Sequence, residues 1–283
     1  MQTFEIVALK TGVNSLRSIE LGETFHPVTG PWVEANVLHV QQQQLVERSR
    51  HLSGSVNNVR KFVIWDVGFG AAANVLAAVE ALRDSETEIE IHSFDKTQAP
   101  VEFALSHADE LVYPGPYKEL LGQLLRDRQA QITSRMSWQF HLGDFREQIK
   151  RPGLPAPHAI LYDPYSPVSN PEMWSLDHFK MLRECLHPEV PCLLTNYTRS
   201  TAVRVTLLLA GFFVGVGCEV GEKAETTLAS NQLELLRRPL DNKWVKRISQ
   251  STNSAPMRGL TYSKAPMTLE EYDLLQRSAQ FQL

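Results

Sequence analysis

From Arg60 onward the chain alternates apolar runs with amphipathic stretches, and this alternation limits the possible folds more than any other feature. Lys61-Phe-Val-Ile-Trp-Asp-Val-Gly68 reads as a buried strand, and Ala71–Arg83 as a helix rich in Ala and Leu. Glu88–Asp95 follows as a second strand, then helical patterns fill Ala99–Leu111 and Tyr117–Arg128. Three more strands are expected at Ser137–Leu142, Ala159–Asp163 and Pro191–Tyr197, with helices at Leu176–Leu186 and Thr201–Ala210. Such an order predicts an α/β fold with an open, mostly parallel sheet covered on both faces. Gly211–Gly217 and Thr226–Ser230 are apolar runs with no helix between them, so the sheet is expected to close with an antiparallel terminal hairpin.

The flanks differ from this pattern. Residues 1–59 read as a small extension packed on the main domain: a hairpin of Phe4–Leu9 and Ser15–Leu21 around Thr11–Asn14, a loop at Gly22–Pro31 and one helix. The run Gln41–Gln44 is expected on a solvated helix face. Residues 60–240 form the main domain, and residues 241–283 a polar tail with a flexible stretch at Ser249–Ser254. The three cysteines, Cys185, Cys192 and Cys218, fit neither a disulfide framework nor a zinc knuckle. The nine histidines lack the HxxxH and HExxH spacings, so no metal is expected. No leader is visible at the amino terminus, and the longest uncharged apolar run, Val205–Cys218, is 14 residues, too short to cross a bilayer. A cytoplasmic protein without a membrane segment is expected.

The candidate chemistry lies at the carboxyl ends of the expected strands, which share one edge of a parallel sheet. Asp66-Val-Gly68-Phe-Gly70-Ala-Ala72-Ala-Asn74 places a glycine pair between a strand and a helix, where the backbone turns tightly and a ligand meets no Cβ. A plain tight turn explains the same pair. Asp95 ends the next strand, where a carboxylate accepts ribose hydroxyls, and Asp144 ends another, suited to an adenine amino group with Phe145 against the base. A helix N-cap is the alternative for both acids. In Tyr162-Asp163-Pro164-Tyr165, proline forces Asp163 out of the helical region and fixes a carboxylate beside an aromatic ring, an arrangement suited to orienting an amine. A simple turn remains the competing account.

Together these pieces resemble a class I S-adenosylmethionine-dependent methyltransferase, and more closely the methyltransferase domain of the MnmC-type tRNA-modifying enzymes. Asp66–Asn74, Asp163-Pro-Tyr-Ser-Pro-Val-Ser-Asn170-Pro171-Glu-Met173-Trp174 and Ala210-Gly-Phe212 carry the resemblance, which runs from about residue 22 to about residue 230. It implies a Rossmann-like sheet, S-adenosyl-L-methionine as cofactor, and N-methylation of an aminomethyl group on tRNA wobble uridine to give 5-methylaminomethyl-2-thiouridine. It further implies that Asp66, Gly68, Gly70 and Asn74 hold the methionine end of the cofactor, Asp95 the ribose, and Asp144 with Phe145 the adenine. Asp163 and Tyr165 would act at the acceptor amine, with Asn170, Met173 and Trp174 shaping the substrate pocket. Three departures stand out. Ala72 replaces a usual third glycine and would crowd the cofactor loop, Asp95 replaces a usual glutamate, and no second dinucleotide motif for a flavin oxidase is seen. The enzymes that install the aminomethyl group are then expected partners.

Net charge argues against a nucleic-acid-coating surface, since Asp+Glu at 32 exceeds Lys+Arg at 28. A local reversal offers a place for tRNA: Arg237, Arg238, Lys243, Lys246, Arg247 and Arg258 accompany only Asp241, with Trp244 as a stacking candidate, or the segment is a solvated basic tail. Lys223 is a further substrate-binding candidate, or part of a surface loop. The loop His26–Glu34 is placed either over the active site or in an ordinary turn. Two other functions fit the same residues: methylation of a small amine or a protein side chain, and a non-catalytic binding module on the same fold.

Overall fold

The computed structural model describes residues 3–53, 61–219 and 224–282. Among these, ten strands are β1 Phe4–Ala8, β2 Asn14–Ser18, β3 Lys61–Val67, β4 Glu88–Asp95, β5 Gln129–Thr133, β6 Met136–Leu142, β7 Ala159–Tyr162, β8 Leu193–Asn196, β9 Phe213–Val216 and β10 Thr227–Ser230. Eight of them form one sheet in the order β5-β6-β4-β3-β7-β8-β10-β9. The strands β6, β4, β3, β7 and β8 run parallel, and β10 is antiparallel to both β8 and β9, so the expected terminal hairpin is present. The other edge holds an unexpected antiparallel strand, β5, paired with β6.

Strand alternation explains the two cores. Phe62 and Ile64 of β3 face a cluster with α2 (Leu45–Ser53), α3 (Ala73–Leu82) and α6 (Lys118–Asp127). Val63, Trp65 and Val67 face the opposite cluster with α8 (Leu176–Cys185) and α9 (Thr201–Leu209). The chain runs from β3 outward through β4 to β6, then crosses back to β7 on the other side of β3. This reversal opens a crevice beyond the carboxyl end of β3.

Both flanks are more integrated than the sequence indicates. Phe4 and Leu16 of the β1–β2 hairpin share a core with Ala71, Ala104 and Leu111 of the main domain. The polar tail is not loose: Trp244, Val245 and Ile248 of a helix at Asn242–Ile248, Met257, and Leu275 of a helix at Leu269–Gln276 all join the α8–α9 cluster. Ser254 lies buried in the stretch expected to be flexible, and Met257 N donates to Thr206 Oγ1 at 2.8 Å. Trp244 is a core side chain, which removes it as a stacking platform. The glutamine run departs from a solvated face as well. Gln43 is buried, and its amide donates to Ile160 O at 2.8 Å and Thr195 Oγ1 at 2.9 Å. Among the described residues, no helix is long and apolar enough to cross a membrane.

Candidate active site

At the end of β3 the backbone turns through Gly68 at φ +86° and Gly70 at φ +52°. Gly68 is required on steric grounds, because a Cβ there would stand 2.5 Å from the carbonyl oxygen of Asp163. Ala72 also adopts a left-handed conformation, φ 68°, just before α3. It is fully buried in the core and lies outside the crevice lining, so its methyl does not crowd the loop's open side as the sequence suggests. Asp95, at the end of β4, braces this loop: Gly70 N donates to Oδ2 at 2.9 Å and Thr97 N to Oδ1 at 3.1 Å. Its burial pushes the carboxyl above its ordinary range, against the opposing pull of those N–H groups.

Asp163 N extends the ladder beyond β7 by donating to Val67 O at 2.8 Å. Its Oδ2 accepts the Asn74 amide at 2.6 Å, and His26 Nε2 lies 3.8 Å from the same oxygen. The segment that follows is pinned at both ends. The Tyr162 hydroxyl donates to Met173 O, and Trp174 Nε1 donates to Tyr165 O at 2.8 Å. Trp174 is completely buried against Tyr162, Phe179 and Tyr197, so the expectation that it lines a substrate pocket is corrected. It scaffolds the Asp-Pro-Tyr turn from beneath.

The crevice above these groups measures about 510 Å³ and is lined on its floor by Val67, Gly68, Gly70, Asn74, Phe94 and Asp95. Phe145, Asp163, Tyr165, Asn170 and Met173 also line it. Asp66 and Asp144 do not. Asp66 sits beneath the floor, buried and bonded by Ser93 Oγ at 2.7 Å, and burial lifts its carboxyl to about 7. Asp144 is the N-cap of a short helix at Phe145–Gln148, the alternative kept for it. Arg146 grips its carboxylate, holding it well below the usual range. Lys96 joins that group to the crevice rim, 3.5 Å from Asp144 and 3.0 Å from Glu172. Lys223 lies outside the described residues.

Sequence reasoning missed the contribution of Glu23, Thr24 and Phe25, which line the crevice beside His26 and Pro27. Glu23 accepts from Ser166 N at 3.1 Å and from the hydroxyls of Ser166 and Ser169. Phe25 packs edge-on against Tyr165, with ring centroids 5.5 Å apart. Of the His26–Glu34 stretch, His26, Pro27 and Glu34 line the crevice, and Glu34 Oε1 accepts Val28 N and Thr29 N, both at 2.9 Å. The extension is therefore a wall of the site.

Residues 111–232 match the model of a family described as S-adenosyl-L-methionine-dependent methyltransferases. Over its whole length the chain superimposes on a crystal structure of MnmC2 from Aquifex aeolicus, covering 87% of that chain at 27% identity and a TM-score of 0.72. Two bacterial proteins named tRNA 5-methylaminomethyl-2-thiouridine biosynthesis bifunctional protein MnmC are also similar. The one from Burkholderia vietnamiensis is 29% identical over 215 residues, 70% of this chain and 31% of that protein. The one from Ralstonia nicotianae is 29% identical over 197 residues, 63% of this chain and 28% of that protein. The chain thus spans about a third of the length of these relatives.

Fold, crevice and family match define an S-adenosyl-L-methionine-dependent methyltransferase of class I architecture. Within that class it is similar to MnmC2 and to part of the MnmC proteins, in line with the resemblance that its motifs carry.

Proposed function

We propose that this methyltransferase N-methylates an aminomethyl group on the wobble uridine of tRNA, giving 5-methylaminomethyl-2-thiouridine. The observation that carries the reading is the correspondence of the entire chain with MnmC2, together with the MnmC names of its relatives.

The crevice suits S-adenosylmethionine. Its volume falls within the range of small-ligand pockets, about 300–1,000 Å³. Asn74 offers a further sign of fit: its Oδ1 is buried without a hydrogen-bond partner among the described residues, and an ammonium group would satisfy it. Gly68, Gly70 and Asn74 would hold the methionine end, Asp95 would face the ribose, and Phe145 would lie against the adenine. Asp66 supports the loop from below rather than touching the cofactor. Asp144, its carboxylate gripped by Arg146, lies outside the crevice lining, so its part is to start the Phe145 helix. When bound, the cofactor supplies a methyl group on a sulfonium centre.

The chain's own residues prepare the amine that would take up that methyl group, its nitrogen forming the new C–N bond as the C–S bond breaks, the thioether leaves and the resulting ammonium gives a proton to water. Asp163 accepts an N–H hydrogen bond and turns the nitrogen lone pair toward the methyl group, while Asn74 fixes the carboxylate. Phe25 and Tyr165 exclude water, which favours the neutral amine over the ammonium. Alignment of this kind lowers a barrier by up to about 7–11 kcal/mol, so Asp163 need not be a strong base. Methyl transfer from labelled S-adenosylmethionine to two tRNA pools tests the reading, one carrying aminomethyl-uridine and one fully modified. Label is expected only in the first. Label in neither, with cofactor binding intact, would assign the enzyme to another amine.

A further inference from the structure

Five cations, Arg237, Arg238, Lys243, Lys246 and Arg247, are all exposed, and none has an ion-pair partner among the described residues. The sixth basic residue of this stretch, Arg258, is paired with Glu271 at 3.4 Å and stands apart from them. On the helix Asn242–Ile248, Lys243, Lys246 and Arg247 occupy positions i, i+3 and i+4, which is one face, while Trp244, Val245 and Ile248 are buried on the other.

The fold brings Arg238 to the same sheet edge as the crevice, and Arg247, like Arg238, lies within electrostatic reach of Arg204 of α9. The segment before the helix runs alongside β9: Val216 N donates to Arg238 O at 2.9 Å, and Leu240 N to Val214 O at 2.9 Å. Since β9 and β8 are each antiparallel to β10, β9 points the same way as the parallel strands. Its carboxyl end, beside Arg238, therefore lies on the catalytic edge. A continuous chain of contacts links the two places. The Tyr197 hydroxyl donates to Pro164 O at 3.2 Å beside Asp163, and Thr227 Oγ1 donates to Thr198 O at 2.7 Å. Arg204 Nε donates to Thr227 Oγ1 at 3.0 Å. Burial, and also the nearby charges of Arg247 and Arg238, hold the Arg204 guanidinium below its ordinary pKa.

We propose that Arg237, Arg238, Lys243, Lys246 and Arg247 form a docking surface for the tRNA phosphate backbone, beside the crevice on the β9 side. The proposal rests on tRNA being the substrate. The chain as a whole carries a net charge of −4, so this surface is where a polyanion gains attraction. Unpaired exposed cations are also the groups that release counterions on binding phosphate, which makes the contact measurable.

The test compares wild type with the variant Arg238→Ala/Lys243→Ala/Lys246→Ala/Arg247→Ala, using tRNA that carries aminomethyl-uridine. Binding is measured from low to moderate salt, and S-adenosylmethionine affinity confirms that the variant is folded. Each lost phosphate contact flattens the log–log salt slope by roughly 0.7–0.9, so a slope shallower by about 3 is expected. Affinity at about 0.1 M salt is expected to fall about 10²-fold or more. A variant that binds with the wild-type slope, while wild type binds and methylates this tRNA, overturns the docking surface and leaves the substrate reading intact. Weaker binding with an unchanged slope overturns it too, because phosphate contacts would not be the cause. Wild type that neither binds nor methylates tRNA removes both.

Discussion

Asn74, in the first turn of α3, donates its side-chain amide to Asp163 Oδ2 at 2.6 Å, tying the glycine loop after β3 to the turn after β7. One residue thereby touches both halves of the crevice. Asp163→Ala removes the group that orients the amine, and methyl transfer is expected to fall by about 10²–10⁴-fold, the range typical of a lost positioning or proton-handling group. Asn74→Ala leaves the carboxylate in place but without the Asn74 bond, with a loss of about 10²-fold expected. Cofactor titration should separate the two, because Asn74→Ala also weakens cofactor binding whereas Asp163→Ala leaves it nearly unchanged. Full activity of Asp163→Ala would remove this carboxylate from the mechanism.

Gly68 and Asp163 meet through their backbones, and this contact fixes the distance between the same two loops. An alanine at Gly68 incurs about 1–2 kcal/mol for its left-handed conformation. It also places a methyl 2.5 Å from the Asp163 carbonyl oxygen, where neither backbone can yield cheaply. Overpacking of this kind costs about 1–3 kcal/mol. Gly68→Ala is expected to lower unfolding stability by several kcal/mol and to weaken cofactor binding. A denaturation midpoint equal to wild type would show that the contact is relaxed.

Trp174 acts on Tyr165 from underneath. In Trp174→Phe the aromatic packing largely remains, but Tyr165 O loses its indole donor at 2.8 Å. A loss of about 0.5–1.5 kcal/mol is expected from that hydrogen bond. Trp174→Ala should cost about 3–5 kcal/mol, as for other buried aromatics. For the Phe variant, kcat is expected to drop more than cofactor affinity, since the aromatic turn moves while the glycine loop does not. Equal effects on both would place Trp174 in the general core only.

What the sequence made legible follows the physics of burial. The strand Glu88–Asp95 was read with its observed ends, and the terminal hairpin was evident from two apolar runs with no helix between them. The strand Gln129–Thr133 was not, because an edge strand needs only one covered face and here only Ala130 is fully buried. Gln43 looked solvated because polar residues usually are, yet its amide is satisfied inside the fold. Trp174 and Trp244 read as ligand contacts because an aromatic ring serves a pocket and a core equally well; burial decided for the core. The crevice floor was legible because its residues lie close to strand ends. Its Glu23–Phe25 wall was not, since Glu23 and Ser166 are 143 positions apart and neither type announces the other.

His178 lies beneath the crevice against Phe145, Tyr162 and Phe179, and neither ring nitrogen has a hydrogen-bond partner among the described residues. Burial, with a smaller contribution from Arg146, lowers its pKa to about 3. The folded state therefore holds it neutral, while the unfolded chain takes up a proton below its ordinary pKa of about 6.5. With the unfolded state binding more protons, stability falls as pH drops from about 6.5 toward 3 and is unaffected by this group above that window. At about pH 5.5 the loss from His178 alone is on the order of 1 kcal/mol. His178→Phe removes both the proton uptake and the unsatisfied nitrogens, and keeps the ring among its aromatic neighbours. It is expected to be as stable as wild type or about 1–2 kcal/mol more so near neutral pH, with a larger advantage at pH 5.5. Urea midpoints at the two pH values check this; an advantage that does not grow on acidification would mean that His178 is protonated in the folded protein.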